Sequence, residues 1–580
     1  MHSPRVANQE PVVALAMPVS VLRFEPGVDL QARNFAEGQA DIAIRGGTFA
    51  NTGITVGGLP LYDPQTAHYT TEVPLPPGAL SAPRVAVGND LASEGIWNAT
   101  AGGVAYDWAP IRAGGEVALS GGEWNTWRAE GIYGSRLNES WSAEVSAGHS
   151  SSDGPFADAD HDLMRTAVRL QRATGQGFSN FVAAYQDKFF GWPNLYTPFN
   201  SPETEDIQTL LLAATHRQVI DARVGTYWQV GAYHRRNDDN YAYNRYAPVG
   251  PVPPFKHTTR VSAVGGSGRV AMGEDTTITV RSWVLYDELE STSLRFGEFY
   301  DRTHFSGSIA LAHAFEPDAG ETLRLNLGLG YDDTDRGAVA VNPQAGLAWE
   351  RPGAPWSRLA LAYSAASQAP SYTAVAGNPN GGLFRGNPRL DRATSRTLDL
   401  RGDFEIAGWT GSAALFRRWD DELVDWTFRQ GVFARSAQAV DLTTDGVELL
   451  ATRSWVAADL VLGYTWLHKD ADYGTQVVDG SFYALNFPRH RITAAVVWRL
   501  SDQFTLRLDN EVRWQQPNPL RTAGGDEAWL SVLGVYWQVP TVENLQLSLQ
   551  VDNVWDSDFQ EIPAVPAAPR MVTLGARWRW

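Results

Sequence analysis

The stretch Met571–Trp580, MVTLGARWRW, ends the chain in a strict alternation of apolar and polar side chains. Successive side chains of a β-strand point to opposite faces, so the apolar residues share one face. That face consists of Val572, Leu574, Ala576, Trp578 and Trp580. Chain ends of soluble proteins usually fray, and they rarely finish on a large exposed aromatic residue. The pattern therefore predicts a strand whose outer face contacts lipid.

The same alternation recurs from about Arg112 onward, between loops rich in Gly, Asp, Asn and Pro. Clear examples are TLRLNLGLGY (322–331), RITAAVVWRL (491–500), FTLRLDNEVRW (504–514) and NLQLSLQV (544–551). Each is about as long as a tilted strand needs to cross a hydrocarbon core roughly 25 to 30 Å thick. Alternation alone would also suit a soluble sheet, but Trp and Tyr recur at the strand ends, as in an interfacial aromatic girdle.

Loop lengths and the size of this region predict the architecture. Short connections alternate with long, aromatic and Asp-rich ones, which is the asymmetry expected of an outer-membrane barrel. The region from Arg112 to Trp580 has 469 residues. At about 21 residues per strand and turn, this predicts an all-β transmembrane barrel of about 22 antiparallel strands.

Composition excludes several other classes of protein. The formal net charge of -18 at pH 7 argues against a nucleic-acid partner, because such a partner requires a basic surface. The chain has no cysteine, so it has neither a disulfide framework nor a thiolate metal site. No stretch approaches the roughly 20 consecutive apolar residues of a membrane-spanning helix.

The first hundred or so residues do not share the alternating pattern. They carry Gly and Pro clusters, as in RGGTFANTGITVGGLPLYDPQT (45–66) and PLPPGAL (74–80). A barrel of about 22 strands has a wide lumen that would leak unless it were filled. We therefore expect a small N-terminal α+β plug domain, residues 1–110, inside a barrel formed by residues 111–580.

Several segments together resemble TonB-dependent outer-membrane receptors. Leu30–Leu75 resembles their plug, and Gly57–Thr66 within it is similar to the apical strand and loop. Ala101–Trp108, AGGVAYDW, resembles the end of the plug. LFRGNPRLDRATS (383–395) is similar to a segment that opens a barrel strand, and Met571–Trp580 resembles the family's C-terminal strand. Within the family, the DPQT-containing plug is most similar to that of cobalamin receptors.

The resemblance implies a mechanism and a set of partners. A scarce small-molecule ligand would bind outer loops and plug apices, and the TonB complex of the inner membrane would pull on the plug to open the lumen. The chain would lie in the outer membrane of a Gram-negative bacterium, contact outer-membrane lipid, depend on the barrel-assembly machinery and act as a monomer.

The sequence departs from the family pattern at its start. Only a short lead precedes the plug motifs, so we expect the energy-coupling segment to be shortened, missing or encoded upstream of Met1. EPVVALA (10–16) resembles such a segment but carries Pro11 where threonine is usual. A loose pattern of seven residues is matched easily by chance, so we do not assign it as the coupling box.

Two groups of residues are candidates for ligand binding. FFGWPNLYTPF (189–199) has five aromatic residues in eleven, and aromatic side chains can stack on a flat or hydrophobic ligand. Such a loop can equally pack on itself or join the interfacial girdle. The second group lies on the apical plug segment and can equally hold the plug against the barrel wall. The predicted ligand-binding residues are Tyr62, His68, Tyr69, Phe190, Trp192 and Tyr196.

Metal and catalytic sites receive less support from the sequence. Asp158, Asp160 and Asp162 would share one side of an extended loop and could supply calcium ligands, but the segment lacks the glycine and glutamate of an EF-hand. A solvated acidic loop is the more common outcome for such a run. Zinc-protease and phosphate-loop motifs are absent from the sequence, so we predict no enzyme, no metal site and no cofactor.

Several functional alternatives remain open on the sequence alone. The leading ligand classes are ferric siderophores and cobalamin, and oligosaccharides are a third. A passive outer-membrane channel, or a binding-only receptor uncoupled from TonB, is the main alternative to an energised transporter. A soluble β-rich protein is a further alternative, and it would stay in solution without detergent.

Overall fold

A computed structural model of the chain describes residues 17–33, 38–247, 252–296 and 300–580. The segment EPVVALA (10–16), which was compared above with an energy-coupling box, lies outside these described residues. The described chain forms a closed barrel with a small domain in its lumen.

The N-terminal region forms two small sheets. β1 (Val28–Arg33) pairs antiparallel with β2 (Gln39–Ile44), and four further strands form a second sheet in the order β4-β3-β6-β5. These are β3 (Thr52–Val56), β4 (Leu59–Leu61), β5 (Arg84–Ala86) and β6 (Gly102–Tyr106); helix α1 spans Asp90–Glu94, and short 3-10 helices span Pro18–Leu22, Phe49–Asn51, His68–Thr71 and Pro77–Ala79. Within the described residues, none of the helices is both long and apolar enough to cross a membrane.

The consecutive glycines of the AGG segment allow close packing between β3, β6 and the end of β2. A Cβ atom on Gly102 would lie 2.5 Å from the side chain of Ile44, and one on Gly103 would lie 2.7 Å from the carbonyl oxygen of Gly53. Both separations are shorter than real Cβ contacts. Glycine is therefore required here by the approach of neighbouring strands.

Within the described residues, 22 long antiparallel strands form the barrel, which confirms the predicted fold class. Two-residue strands β20 (Phe384–Arg385) and β25 (Gly480–Ser481) and helix α2 (Tyr372–Ala376) lie in its loops. The long strands are β7 (Gly114–Gly122), β8 (Trp127–Arg136), β9 (Trp141–Ser152), β10 (His161–Thr174), β11 (Gly177–Pro193), β12 (Pro202–Asp221), β13 (Thr226–Ala242), β14 (Phe255–Met272), β15 (Thr276–Ser291), β16 (Asp301–Phe315), β17 (Thr322–Thr334), β18 (Ala340–Glu350), β19 (Trp356–Gln368), β21 (Ala393–Ile406), β22 (Trp409–Phe428), β23 (Arg435–Ser454), β24 (Ala458–Asp472), β26 (Pro488–Arg499), β27 (Phe504–Gln515), β28 (Glu527–Gln538), β29 (Leu545–Asp552) and β30 (Met571–Arg579).

The last strand closes the barrel. β30 pairs antiparallel with β7, and just beyond the ladder Trp580 and Gly115 exchange two backbone hydrogen bonds with nitrogen–oxygen distances of 3.1 Å. The alternation predicted for this strand is confirmed, because Leu574 is 64% exposed on the outer face whereas Thr573 is 1% exposed. The terminal tryptophan thus lies at the seam where the two ends of the barrel sheet meet.

Inward and outward faces differ along the other strands as well. On β27, Arg507, Asp509, Glu511 and Arg513 are all buried toward the lumen. On β17, the outward Leu327 remains about half exposed. The outer face is therefore apolar and available to lipid, whereas the inner face carries the charged groups that meet the plug.

The two ends of the barrel have different connections. Short turns at residues 175–176, 273–275 and 407–408 lie at one end, and long loops at residues 369–392 and 553–570 lie at the other. In outer-membrane barrels the long loops face the cell exterior. This end is therefore the extracellular mouth.

Candidate ligand-binding site

The apex of the plug is a loop held in place by one carboxylate. Asp63 accepts hydrogen bonds from the backbone nitrogens of Gln65 at 3.0 Å, Thr66 at 3.3 Å and Tyr69 at 3.1 Å. An aspartate that bonds to backbone groups a few residues ahead is typical of turns. The DPQT segment is therefore a locally stabilised turn that presents the following residues toward the extracellular mouth.

His68 is fixed in this loop by contacts on two sides. Its ring stacks on Phe49 with centroids 3.7 Å apart, and its Nδ1 lies 2.7 Å from an oxygen of Asp41. The second oxygen of Asp41 pairs with Arg33 at 2.6 Å. Burial lowers the pKa of His68 and outweighs the opposing effect of Asp41. Burial opposes ionisation of Asp41, but His68 and Arg33 hold its pKa below the usual value.

We expect acidification to weaken the packing of the plug apex. The native state holds His68 neutral at pH values where the unfolded chain protonates it, so stability falls as the pH drops below about 6.5. The lowered pKa of Asp41 acts in a separate window, because its contribution is lost only at pH values below about 4.

Hydrogen exchange of Thr66–Thr71 between pH 7.5 and pH 5 measures the effect of His68. His68→Gln keeps a polar side chain beside Asp41 but cannot titrate, so its exchange, corrected for the intrinsic effect of pH, should vary less than that of the wild type. Equal pH dependence in the two proteins would contradict this assignment.

A cavity of about 310 Å³ lies between the plug apex and the extracellular ends of the barrel strands. The plug contributes Gln65, Thr66, His68 and Tyr69 to its lining. Thus His68, Tyr69 and Tyr196, which the sequence analysis selected, all line one cavity. The sequence analysis missed most of the barrel side, which includes Glu205, Asp239, Tyr241, Phe255, Trp426, Arg435 and Tyr483.

The other three predicted residues lie elsewhere. Phe190 and Trp192 are completely buried, and the indole nitrogen of Trp192 donates to the carbonyl oxygen of Pro566 at 2.9 Å. They pack inside the loop cluster next to the cavity and are absent from its lining. The Tyr62 hydroxyl lies 3.2 Å from a guanidinium nitrogen of Arg302 on the barrel wall. The placement of Tyr62 matches the alternative weighed above, a contact that holds the plug to the wall.

The aspartate run pairs with basic side chains. Arg245 contacts Asp160 at 2.5 Å and Asp158 at 3.6 Å, whereas Asp162 lies 3.0 Å from Nε2 of His149. The three carboxylates therefore do not converge on one point. Among the described residues, no group of three or more His, Asp or Glu side chains is arranged to hold a metal ion.

Buried ion pairs join the plug to the barrel wall below the cavity. Arg45 contacts Asp399 at 2.5 Å and Glu448 at 2.7 Å, and its guanidinium carbon lies 4.2 Å from the ring centroid of Phe416. On another side of the lumen, Asp29 pairs with Arg513 at 3.0 Å. Removing one partner of a buried pair leaves an uncompensated charge, so these contacts hold the plug in position.

Arginines of the wall also donate to backbone carbonyl oxygens of the plug. Arg235 donates to Tyr62 at 3.0 Å, Arg169 donates to Ala109 at 2.7 Å, and Arg491 donates to Glu25 at 3.0 Å. Arg281 donates to the carbonyl oxygens of Ala92 and Ser93, in the last turn of helix α1. These bonds tie plug carbonyls to the wall, and the carbonyls of Ala92 and Glu25 accept them in addition to backbone hydrogen bonds from Gly95 and Val28.

Comparisons with known proteins agree with this architecture. A family model described as the β-barrel of TonB dependent receptor-like proteins matches residues 88–554. Among curated protein sequences, none matches the chain significantly.

Solved structures resemble the chain over nearly its whole length. The siderophore receptor PirA from Pseudomonas aeruginosa shares 16% identity, with 99% of this chain and 97% of that chain covered and a TM-score of 0.72. The FrpB iron transporter from Neisseria meningitidis, F5-1 variant, shares 13% identity, with 98% and 97% covered and a TM-score of 0.75. The copper transporter OprC shares 13% identity, with 97% and 95% covered and a TM-score of 0.75.

At these identities the structural likeness establishes the fold alone. The family model covers most of the chain, including the end of the plug and nearly all of the barrel. The chain therefore belongs to the TonB-dependent receptors, which bind and transport ligands across the outer membrane of Gram-negative bacteria.

Proposed function

We propose that this receptor captures its ligand in the cavity between the plug apex and the barrel wall, and that ferric siderophores are the leading ligand class. The observation that carries the proposal is the shared lining of the cavity, which is built from both plug and barrel residues. Movement of the plug would change such a site, so ligand release can be coupled to force applied by TonB. The names of the similar siderophore receptor and iron transporter support iron complexes ahead of cobalamin.

We further propose the limits and partners of the two domains. The plug comprises residues 1–110 and the barrel residues 111–580, since the last contact of the plug described above is at Ala109 and β7 begins at Gly114. The apolar C-terminal strand is the segment read by the barrel-assembly machinery, and the exposed outer face contacts outer-membrane lipid. The proposed receptor acts as a monomer, by binding and transport rather than catalysis, with no resident cofactor and no nucleic-acid partner.

Uptake measurements test the proposed function. Cells expressing the chain behind a supplied signal peptide would be given labelled ferric siderophores and cobalamin, with and without functional TonB. We expect uptake of a ferric siderophore that requires TonB. Binding without uptake, or leakage that is indifferent to TonB, would instead support the passive alternative.

A pair of tyrosine variants tests the position of the site. Tyr196→Ala removes an aromatic wall of the cavity and should weaken binding of the transported ligand about tenfold or more, as truncation of a central aromatic contact commonly does. Tyr133→Ala removes a tyrosine that is 48% exposed on β8 and serves as the matched control. Equal affinity in the two variants would place the ligand elsewhere.

A further inference from the structure

Three neighbouring strands place acidic and aromatic side chains in two rows on the barrel side of the cavity. In the register of β12, β13 and β14, Glu205 lies opposite Tyr241, which lies opposite Phe255. Asp239 lies two residues before Tyr241 on the same face of β13, and it lies opposite His257 of β14. Residues two apart on a strand share a face, so Glu205 and Asp239 are diagonal neighbours on the inner wall.

Several polar atoms in these rows lack well-formed hydrogen bonds. Glu205 is 1% exposed, and its carboxyl group lies against Asp239, Tyr196 and Tyr69 without a hydrogen bond of normal geometry to any of them. One oxygen of Asp239 likewise has no hydrogen bond of normal geometry among the described residues, and the hydroxyl of Tyr241 lies against the carboxyl group of Glu203. The other oxygen of Asp239 accepts a hydrogen bond from Gln65 of the plug. Buried acidic groups without partners are costly, which makes them candidates for contact with a ligand.

The acidic groups of this wall act electrostatically on Tyr69 of the plug. Burial raises the pKa of the Tyr69 hydroxyl well above its usual value, and the charges of Asp239 and Glu205 add to this effect. Tyr69 and Tyr196 line the same cavity, and the ring centroid of Tyr196 lies 5.6 Å from that of Tyr241 on β13. Aromatic rings thus surround an acidic position, an arrangement that suits a cation because ring faces are electrostatically negative.

Three basic side chains line the cavity, and the hydrogen bonds that they make go to groups other than Glu205 and Asp239. Arg435 donates to the backbone carbonyl of Tyr196. His68 is bonded to Asp41, and Nδ1 of His257 bonds to a serine hydroxyl of β15 at 2.9 Å. These contacts leave the acidic rows open to a positive charge supplied from outside.

We propose that Glu205 and Asp239, enclosed by Tyr69, Tyr196 and Tyr241, bind a protonated amine or guanidinium group of the transported ligand. This inference rests on the proposed function, because it assigns a chemical class to the ligand of that same cavity. An organic cation suits the site better than a bare metal ion, since the described residues contain no cluster of three metal-ligating side chains. Two buried carboxyl groups this close do not ionise together, so the pair supplies one negative charge and further hydrogen-bond acceptors, and the rings contact the alkyl or aryl part of the ligand.

Binding to the purified full-length protein in detergent tests the inference without TonB or transport. The probes are phenethylamine, which is protonated at pH 7, and 3-phenyl-1-propanol, which is neutral and of similar size, with affinities measured by calorimetry. We expect the wild type to prefer the amine by about tenfold or more, the size of effect expected for a hydrogen bond to a charged group. The double variant Glu205→Gln/Asp239→Asn removes all negative charge from the pair and should reduce this preference by a similar factor.

Asp206→Asn is the matched control, because it removes the same charge from the adjacent, less buried position on the other face of β12. This variant should keep the preference of the wild type. Equal binding of the two probes by the wild type, no binding of the amine, or an unchanged preference in Glu205→Gln/Asp239→Asn would overturn the inference. Because the assay needs no TonB, it separates failure of this inference from failure of the proposed transport function.

Discussion

Arg45→Ala is expected to loosen the plug from the barrel wall by roughly 3–5 kcal/mol, the usual cost of removing one partner of a buried ion pair. Arg45 is 5% exposed and contacts two carboxylates, Asp399 and Glu448, on different barrel strands. Its loss leaves both carboxylates without their cation inside the lumen. Hydrogen exchange of β2 and β3 should accelerate, and cells should admit more nitrocefin without TonB.

Arg84 offers a matched control within the plug. It also pairs with two carboxylates, those of Glu94 and Asp107, but all three groups belong to the plug and are partly exposed. Arg84→Ala should therefore cost less than about 1 kcal/mol and leave nitrocefin permeability unchanged. Equal effects of the two substitutions would show that Arg45 does not hold the plug to the wall.

Leu327→Arg is expected to destabilise the barrel by about 2–4 kcal/mol, as a basic residue does on the lipid face near the middle of the bilayer. Leu327 lies near the middle of β17 and is 46% exposed on the outer surface. The expected result is a lower midpoint for unfolding from lipid vesicles by guanidinium chloride. A smaller amount of folded protein in the outer membrane should accompany it.

Phe315→Arg provides the comparison for this change. Phe315 is 47% exposed at the end of the neighbouring strand β16, at the barrel end that has short turns. The cost of an outward arginine falls to about 0–1 kcal/mol near the membrane interface. If both variants unfolded at the same denaturant concentration, the outer face of β17 would not be in contact with the hydrocarbon core.

The barrel could be predicted from the sequence because its strands are specified locally. A two-residue period, as in β30 or β27, reports which face of each strand is apolar, and the strand number follows from the length of the region. The close packing at Gly102 and Gly103 could not be derived from periodicity. The sequence analysis singled out these glycines only because the AGG segment resembles known plugs.

The candidate site was predicted only in part because its residues meet through long-range contacts. Phe190 and Trp192 have the same composition signal as Tyr196, but Trp192 is fixed by a carbonyl 374 residues away. Nothing local distinguishes an aromatic that packs inside a loop from one that lines a cavity. Glu205 and Asp239 become neighbours only when β12 and β13 pair in their particular register.

The hydrogen bonds from wall arginines to plug carbonyls have a consequence for how the two domains can diverge in evolution. A carbonyl oxygen is present whichever side chain a residue carries, so Arg235, Arg169 and Arg491 recognise the course of the plug backbone rather than its amino-acid identity. Substitutions at Tyr62, Ala109 or Glu25 can therefore keep these particular bonds. These bonds therefore place no constraint on the plug side chains at such positions, whereas they do require the barrel arginines that donate them.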